Sequence, residues 1–348
     1  MTPKPLRFAV VGLGYWGPNL VRNLFELGES ADVRRVCDLD EEALAKITRR
    51  YPSIAGTTRY EDLLEDGELD AILISTPVST HYPLASAALE AGKHVFVEKP
   101  LAASSAEGLE LVRLAEKKKL VLMPGHTFLY SPPVNTIRSM IERGDLGDIY
   151  FVSTSRVNLG LHQADVSVVW DLGPHDFSIL RYWFDQTPVH ASAISRACVL
   201  PEVPDVAFID LEYDSGTIAH VELSWLAPSK LRRTTIVGSE KMVVYDDTGN
   251  EPVRVFDSGV TLPNPETFGE YRLTYRTGDI VSPRVDAHEP LSLELADLIE
   301  AIRTGSTPRS SAEIGLEVVR MIEAVDTSLA QRGARVSLAQ PAAVATSA

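Results

Sequence analysis

Cysteine is nearly missing: Cys37 and Cys198 are the only two in 348 residues, and they stand in unlike surroundings. Neither a disulfide framework nor a cysteine zinc site is supported. Basic residues are also short, with 33 Lys and Arg against 48 Asp and Glu and a formal net charge of −15. That balance argues against a nucleic-acid-binding domain, whose footprint is a basic face, and against a polybasic membrane-surface protein. It leaves room for a local basic patch that receives an anionic small molecule. No hydrophobic run approaches a membrane span. The early apolar stretch Phe8–Leu13 is too short and too glycine-rich for a signal peptide, so a soluble cytoplasmic protein is expected. The eight histidines form no H-x-x-x-H pair, and no metal site is expected.

What is present is an ordinary globular composition, 45% hydrophobic, in a chain long enough for two domains. The first third alternates apolar runs with helical periodicity. Leu6–Gly12, Asp32–Cys37, Ala71–Ser75, His94–Val97 and Leu120–Met123 read as buried strands. Pro18–Leu27, Glu41–Arg50, Pro83–Ala91 and Ala106–Lys118 read as the helices between them. Such alternation predicts a parallel, doubly wound sheet. Beyond about residue 125 the strands are short and punctuated by Asp214-Ser215-Gly216 and Asp247-Thr248-Gly249, which predicts a mostly antiparallel sheet. Leu291–Arg303 and Glu313–Ala330 read as closing helices. The expected domains are 1–124 and 125–340, with a tail at 341–348.

Gly12-Leu13-Gly14-Tyr15-Trp16-Gly17 is a G-x-G-x-x-G fingerprint set between a strand and a helix, the context that gives the motif meaning. Gly12 permits the tight turn, Gly14 lets the backbone approach a pyrophosphate, and Gly17 lets helix and strand pack closely. The helix start then offers N–H groups to the phosphates. Asp38 at the second strand end is placed for the adenosine ribose; the rival reading makes it a helix cap. Because no arginine follows Asp38, the expected cofactor is NAD rather than NADP. The fold class expected is an α/β Rossmann dinucleotide-binding domain followed by an α+β domain with a mostly antiparallel, open-faced sheet.

Three further segments carry polar groups: Ser75-Thr76-Pro77-Val78-Ser79-Thr80-His81, Glu98-Lys99-Pro100, and Asp171-Leu172-Gly173-Pro174-His175. Asp171 and His175 share one face if their segment is helical; the rival reading makes Asp171 an N-cap with Pro174 in the first turn. With the fingerprint, these motifs in this order resemble the glucose–fructose oxidoreductase / inositol dehydrogenase / MocA (Gfo/Idh/MocA) family, and the resemblance covers essentially the whole chain. It implies a pyridine-nucleotide-dependent alcohol–ketone oxidoreductase acting on a pyranose or cyclitol. It implies Lys99, Asp171 and His175 as the catalytic group. Ser75, Thr76, Pro77 and His81 would border the nicotinamide half with Glu98 beside them, joining Tyr15 and Trp16 of the loop, and a cis Lys99–Pro100 bond and a homo-oligomer, dimer or tetramer, would follow. A histidine near neutral pKa suits removal of a hydroxyl proton, and a lysine suits the developing alkoxide.

His126, Tyr130, Arg156, Asn158 and Trp170 flank these motifs and are the candidate substrate residues. Tyr130 and Trp170 read equally as interface packing. Lys230, Arg232 and Arg233 form a basic cluster in an acidic chain, suited either to a substrate phosphate or carboxylate or to a solvated loop. The expected substrate is a sugar, including a nucleotide-activated sugar or sugar acid. An inositol substrate is the alternative, and a dinucleotide sensor without turnover is the alternative of another class.

Overall fold

In the computed structural model, which describes residues 4–160, 162, 166–261 and 274–338, the run LRFAVV becomes β1 (Leu6–Val11), its last four residues buried. After it come α1 (Gly17–Glu26), β2 (Ala31–Cys37), α2 (Glu41–Arg50), β3 (Ala55–Thr57), α3 (Glu61–Leu64), β4 (Ala71–Ile74), α4 (His81–Glu90), β5 (His94–Glu98), α5 (Ser105–Lys118) and β6 (Leu122–Gly125). The six strands pair in parallel in the order β3-β2-β1-β4-β5-β6. Continuous apolar strands such as β4, buried at all four residues, suit a sheet covered on both faces.

The rest of the chain supplies α6 (Pro132–Glu142), β7 (Ile149–Leu159), α7 (Val168–Phe184), β8 (His190–Arg196), β9 (Val206–Glu212), β10 (Ile218–Ser224), β11 (Leu226–Gly238), β12 (Met242–Asp246), β13 (Val253–Thr261), β14 (Thr274–Val281), α8 (Pro290–Thr304), α9 (Ala312–Ala330) and β15 (Val336–Ser337). A nine-stranded sheet runs β14-β13-β12-β11-β7-β10-β9-β8-β15. Among the described residues only β7 and β10 of this sheet pair in parallel. Residues alternate along β10: Ala219, Val221 and Leu223 are buried, whereas Ile218 is half exposed opposite Phe151. Ile194 and Phe208, another matched and exposed pair, lie on the same open face, the pattern of a sheet covered on one side.

Contacts group Met1–Ser131 with His288–Arg320, and Pro132–Ala287 with the chain from Met321 onward. The segment His288–Arg320, which the sequence assigns to 125–340, thus packs with the nucleotide-type unit. Arg22 pairs with Glu289 at 2.6 Å, Asn23 donates to the same carboxylate at 3.1 Å, and Leu291, Leu295, Leu298 and Ile299 are buried. Composition carries no mark of this return because an amphipathic helix reads alike whichever sheet it covers. The expected tail, 341–348, lies outside the described residues.

Within the second unit α7 is fixed to the sheet by a buried ion pair. Arg156 on β7 donates to Asp176 on α7, Nε to Oδ2 at 2.6 Å and Nη2 to Oδ1 at 3.3 Å. Thr154 adds a hydroxyl to the same carboxylate at 3.0 Å, and Thr234 on β11 donates to Thr154 at 3.0 Å. The Arg156 and Asp176 side chains are 6% and 4% exposed. Removing one partner of such a pair leaves a buried charge uncompensated, at about 3–5 kcal/mol. Asp176→Ala is expected to lose stability on that scale in chemical denaturation. A loss below about 1 kcal/mol, the scale of an exposed pair, would mean that the pair does not anchor α7.

Candidate active site

In the first unit, strand order reverses between β1 and β4, where open α/β sheets bind ligands. Gly12, with φ +85°, follows β1; a Cβ there would lie 2.5 Å from the Ser75 carbonyl, and one on Gly17 would lie 1.9 Å from the Gly12 carbonyl. Both positions are closed to any side chain. At Gly14 a Cβ would meet nothing within 4 Å, so open space stands where a pyrophosphate needs close backbone approach. No side-chain cap occupies the start of α1 at Trp16, and the Tyr15 ring is exposed. These residues fit a dinucleotide.

Asp38 follows β2 and accepts the Leu13 N–H of the glycine loop through Oδ2 and the Asp40 N–H through Oδ1 at 2.8 Å. The cap of α2 is Asp40, which accepts from Glu42 and Ala43; the helix-cap reading of Asp38 is therefore set aside. A carboxylate has further lone-pair sites for ribose hydroxyls. Arg34 and Arg35 are each paired with an acid, Asp32 and Asp66, at 2.7 Å.

Ser75 Oγ donates to the Gly12 carbonyl at 2.7 Å, fixing the loop from the β4 side. Thr76 and Thr80 share a hydroxyl contact at 2.6 Å, and Thr80 also donates to the Pro77 carbonyl. His81 is 1% exposed. Its Nδ1 lies 2.8 Å from the Pro100 carbonyl and its Nε2 2.9 Å from the Thr76 carbonyl. Burial holds its pKa below the usual imidazole value; the neutral ring carries one N–H, so it donates to one of the two carbonyls and packs against the other. The Lys99–Pro100 peptide is cis.

Beside Lys99 sit two buried titratable groups. Burial pushes the Glu98 carboxyl up to about 7, against the opposing pull of the Lys99 charge and the Lys99 N–H, which donates to Oε2 at 3.3 Å. Trp16 Nε1 stands near this carboxyl without meeting hydrogen-bond geometry. Burial, helped by the Lys99 charge, lowers His126 to about 3, so its ring is neutral at physiological pH.

In the second unit, α7 begins at Val168 behind an N-cap at Ser167, earlier than the sequence suggests. Asp171 is thus in the first turn rather than the cap, and Pro174 lies inside the helix. Asp171 and His175 fall one turn apart on α7. Trp225, 1% exposed, donates Nε1–H to Asp171 Oδ2 at 3.1 Å. Asn158 belongs to this cluster: a Cβ on Gly160 would lie 3.2 Å from Asn158 Oδ1 and 2.9 Å from Trp225 Cδ1. Trp170 donates to Asp326 at 2.7 Å.

The other sequence candidates are engaged in packing. Tyr130 is buried, its hydroxyl donating to Asp297 at 2.6 Å and accepting from Ser310 N at 3.0 Å, and Arg156 holds Asp176. Arg232 and Arg233 lie on β11 and pair with Asp247 and Asp246 at 3.2 and 2.8 Å. Lys230 is exposed in a stretch where the register jumps from Leu226 to Leu231 against Leu159 to Val157. Bulges of this kind re-aim side chains beside sites. Sequence reasoning missed Trp225 and Glu294. A buried indole needs an acceptor, which was a usable signal for Trp225, but the acceptor's identity depends on the strand register.

The chain matches the GFO_IDH_MocA description, "Oxidoreductase family, NAD-binding Rossmann fold", over residues 6–126 and the GFO/IDH/MocA C-terminal domain over residues 134–244. It is 26% identical to the scyllo-inositol 2-dehydrogenase (NAD(+)) of Bacillus subtilis over 90% of this chain and 92% of that protein. It is also 26% identical to the UDP-N-acetylglucosamine 3-dehydrogenase of Acidithiobacillus ferrooxidans, over 70% and 75%. A levoglucosan dehydrogenase solved with NADH superposes with a TM-score of 0.83 at 19% identity, over 97% of this chain and 100% of that one. With both domains matched in order, the chain belongs to the Gfo/Idh/MocA oxidoreductase family.

Proposed function

We propose that this protein is an NAD-dependent dehydrogenase or ketoreductase that interconverts a secondary alcohol and a ketone on a sugar. The observation that supports the reading is the joint presence of a complete dinucleotide loop and of Lys99, Asp171 and His175 in segments that resemble the family's motifs. A sensor without turnover would need only the first. The family relatives named above act on inositol and on a nucleotide-activated sugar, which supports the substrate class.

A nicotinamide dinucleotide, when bound, supplies the hydride acceptor or donor. The chain's own residues do the rest. The glycine loop receives the pyrophosphate, and Asp38 receives the ribose. His175 takes the proton of the reacting hydroxyl. Lys99, half-buried just after β5, stabilises the alkoxide as it forms. Asp171, held by the Trp225 indole, keeps the polar face of α7 in one arrangement.

Lys99→Ala and His175→Ala are each expected to lower turnover by roughly 10²–10⁴-fold. Purified protein is first screened on inositols, free sugars and nucleotide sugars by NADH absorbance. Near-wild-type turnover in both variants would move the chemistry elsewhere. Asp38 gives the cofactor preference, since a carboxylate repels a 2′-phosphate. NAD(H) is expected to bind more tightly than NADP(H) by fluorescence titration, with the gap narrowed in Asp38→Ala; tighter NADP(H) binding by the wild type would refute the assignment. Lys230 is the one cation of the basic cluster for which the described residues show no ion pair. Its replacement by alanine is expected to raise KM for an anionic sugar and leave KM for a neutral one unchanged. Equal effects on both would remove the anion-binding role.

A further inference from the structure

The end of β7 is stapled to the tryptophan that holds Asp171. Gly160 donates its N–H to the Trp225 carbonyl at 2.9 Å, and Trp225 donates its own to the Asp205 carbonyl at 2.9 Å. A side chain at Gly160 would collide with Trp225 Cδ1, so only glycine lets the backbone lie this close to the ring. Two residues on, the His162 imidazole meets the same indole edge-on, with the ring centroids 5.4 Å apart. One indole therefore touches His162 on its ring and Asp171 through its N–H. Asp205, whose carbonyl receives the Trp225 N–H, also turns its carboxylate toward His162: Nε2 lies 3.7 Å from Oδ2. The two nitrogens of His162 stand in different surroundings. Nε2 is buried and has no hydrogen-bond partner among the described residues; Nδ1 has none there either, but it is not among the buried atoms. The side chain as a whole is 19% exposed.

We infer that His162 is a specificity-determining residue of this site: its Nδ1 accepts a hydrogen bond from a second hydroxyl of the sugar, away from the reacting carbon, while Asp205 keeps the ring proton on Nε2. The inference rests on the function proposed above for Asp171 and His175. The donor–acceptor roles follow from the geometry. The Asp205 side chain is fully buried and accepts the Cys198 N–H at 3.0 Å and the Val199 N–H at 2.8 Å. Burial pushes this carboxyl up, but those bonds outweigh it, and the group stays below the usual carboxylate range. At 3.7 Å its pull on Nε2 is electrostatic rather than a hydrogen bond, and a carboxylate beside one ring nitrogen favours the tautomer with its proton there. In the neutral ring Nδ1 is then an acceptor only. A hydroxyl can donate to it, whereas a carboxylate or a phosphate dianion cannot. A simple secondary alcohol has no second hydroxyl to offer; a pyranose or an inositol has several. Backbone staples at Gly160, Trp225 and Asp205 hold the imidazole before any ligand arrives, which is what reading one hydroxyl requires.

A purely structural His162 would pack on Trp225 and do no more. His162→Phe separates the roles, because it keeps an aromatic edge against the indole and removes Nδ1. Nitrogen NMR of the isotope-labelled imidazoles needs no substrate. The neutral His162 signal, identified by its absence from His162→Phe, is expected to be that of the Nε2–H tautomer; the Nδ1–H tautomer would overturn the inference. Kinetics use the most active inositol or sugar from the screen above, together with its single-deoxy analogues. Wild type is expected to lose roughly 3–10-fold in kcat/KM on one of these analogues, the worth of one hydrogen bond, with the loss in KM rather than kcat. His162→Phe is expected to handle that analogue and the parent alike, so that the coupling is confined to one hydroxyl. If His162→Phe instead lowers kcat/KM by one common factor across the parent and every analogue, the residue is structural and the inference fails. The failure of the underlying reading looks different. Full activity in Lys99→Ala and His175→Ala, with the coupling to one hydroxyl intact, would remove the catalytic assignment and leave His162 as the hydroxyl reader. Inactive Lys99→Ala and His175→Ala, with no hydroxyl coupled to His162, would remove His162 alone.

Discussion

The second unit is organised by a charge that has nowhere else to go. Arg156 sits on β7, the middle strand of nine, where its guanidinium is cut off from water, so Asp176 has to meet it. That demand fixes the rotation of α7. Asp176 faces inward, and the helix period then decides where His175 and Asp171 stand. Trp225 adds a second restraint one turn earlier. A buried pair of this kind is weak as a source of net stability. Its effect here is to select one arrangement of a helix whose apolar residues would tolerate several.

The first unit is organised differently, by close approach of backbones. Gly12, Gly17 and Ser75 leave no room for a Cβ between the glycine loop and the end of β4. Further along the same edge, the buried His81 ring sits between the Thr76 and Pro100 carbonyls and packs the segments after β4 and β5 against each other. Lys99 is thus held on a backbone fixed from both sides.

Much of this was legible in the sequence. The parallel sheet followed from apolar runs with glycine and proline at the turns, and each of the five strands read there exists. The glycine fingerprint and Asp38 could be placed because their local sequence imposes their local geometry. What stayed hidden depends on distant partners. β3 went unread because its three residues, exposed or half-buried, are too few to show either an apolar run or an alternation. Arg156 and Tyr130 looked like substrate residues because a lone polar or aromatic side chain beside a motif does not announce its acceptor. Asp176 and Asp297, which claim them, lie on helices whose packing no local pattern records. Glu294 lies 167 residues beyond Thr127, its hydrogen-bond partner.

That separation bears on how the protein is made. The nucleotide-binding unit is discontinuous, with Pro132–Ala287 inserted between its parts. Its loop after β6 is secured by Glu294, Asp297 and Ser310, with Ser310 Oγ reaching the Pro124 carbonyl across 186 residues. A chain emerging from the ribosome can pair its first six strands early, but the contacts that settle Thr127 and Tyr130 wait until nearly the whole sequence has been synthesised. Closing so large a loop is slow and entropically costly. The inserted unit, whose sheet strands other than the two-residue β15 all precede α8, has its own hydrogen-bonded ladder complete first. Both units therefore wait for the C-terminal helices: α8 and the start of α9 complete the first, and the rest of α9, with Asp326 meeting Trp170 and Ser328 meeting the Ala193 N–H, completes the second.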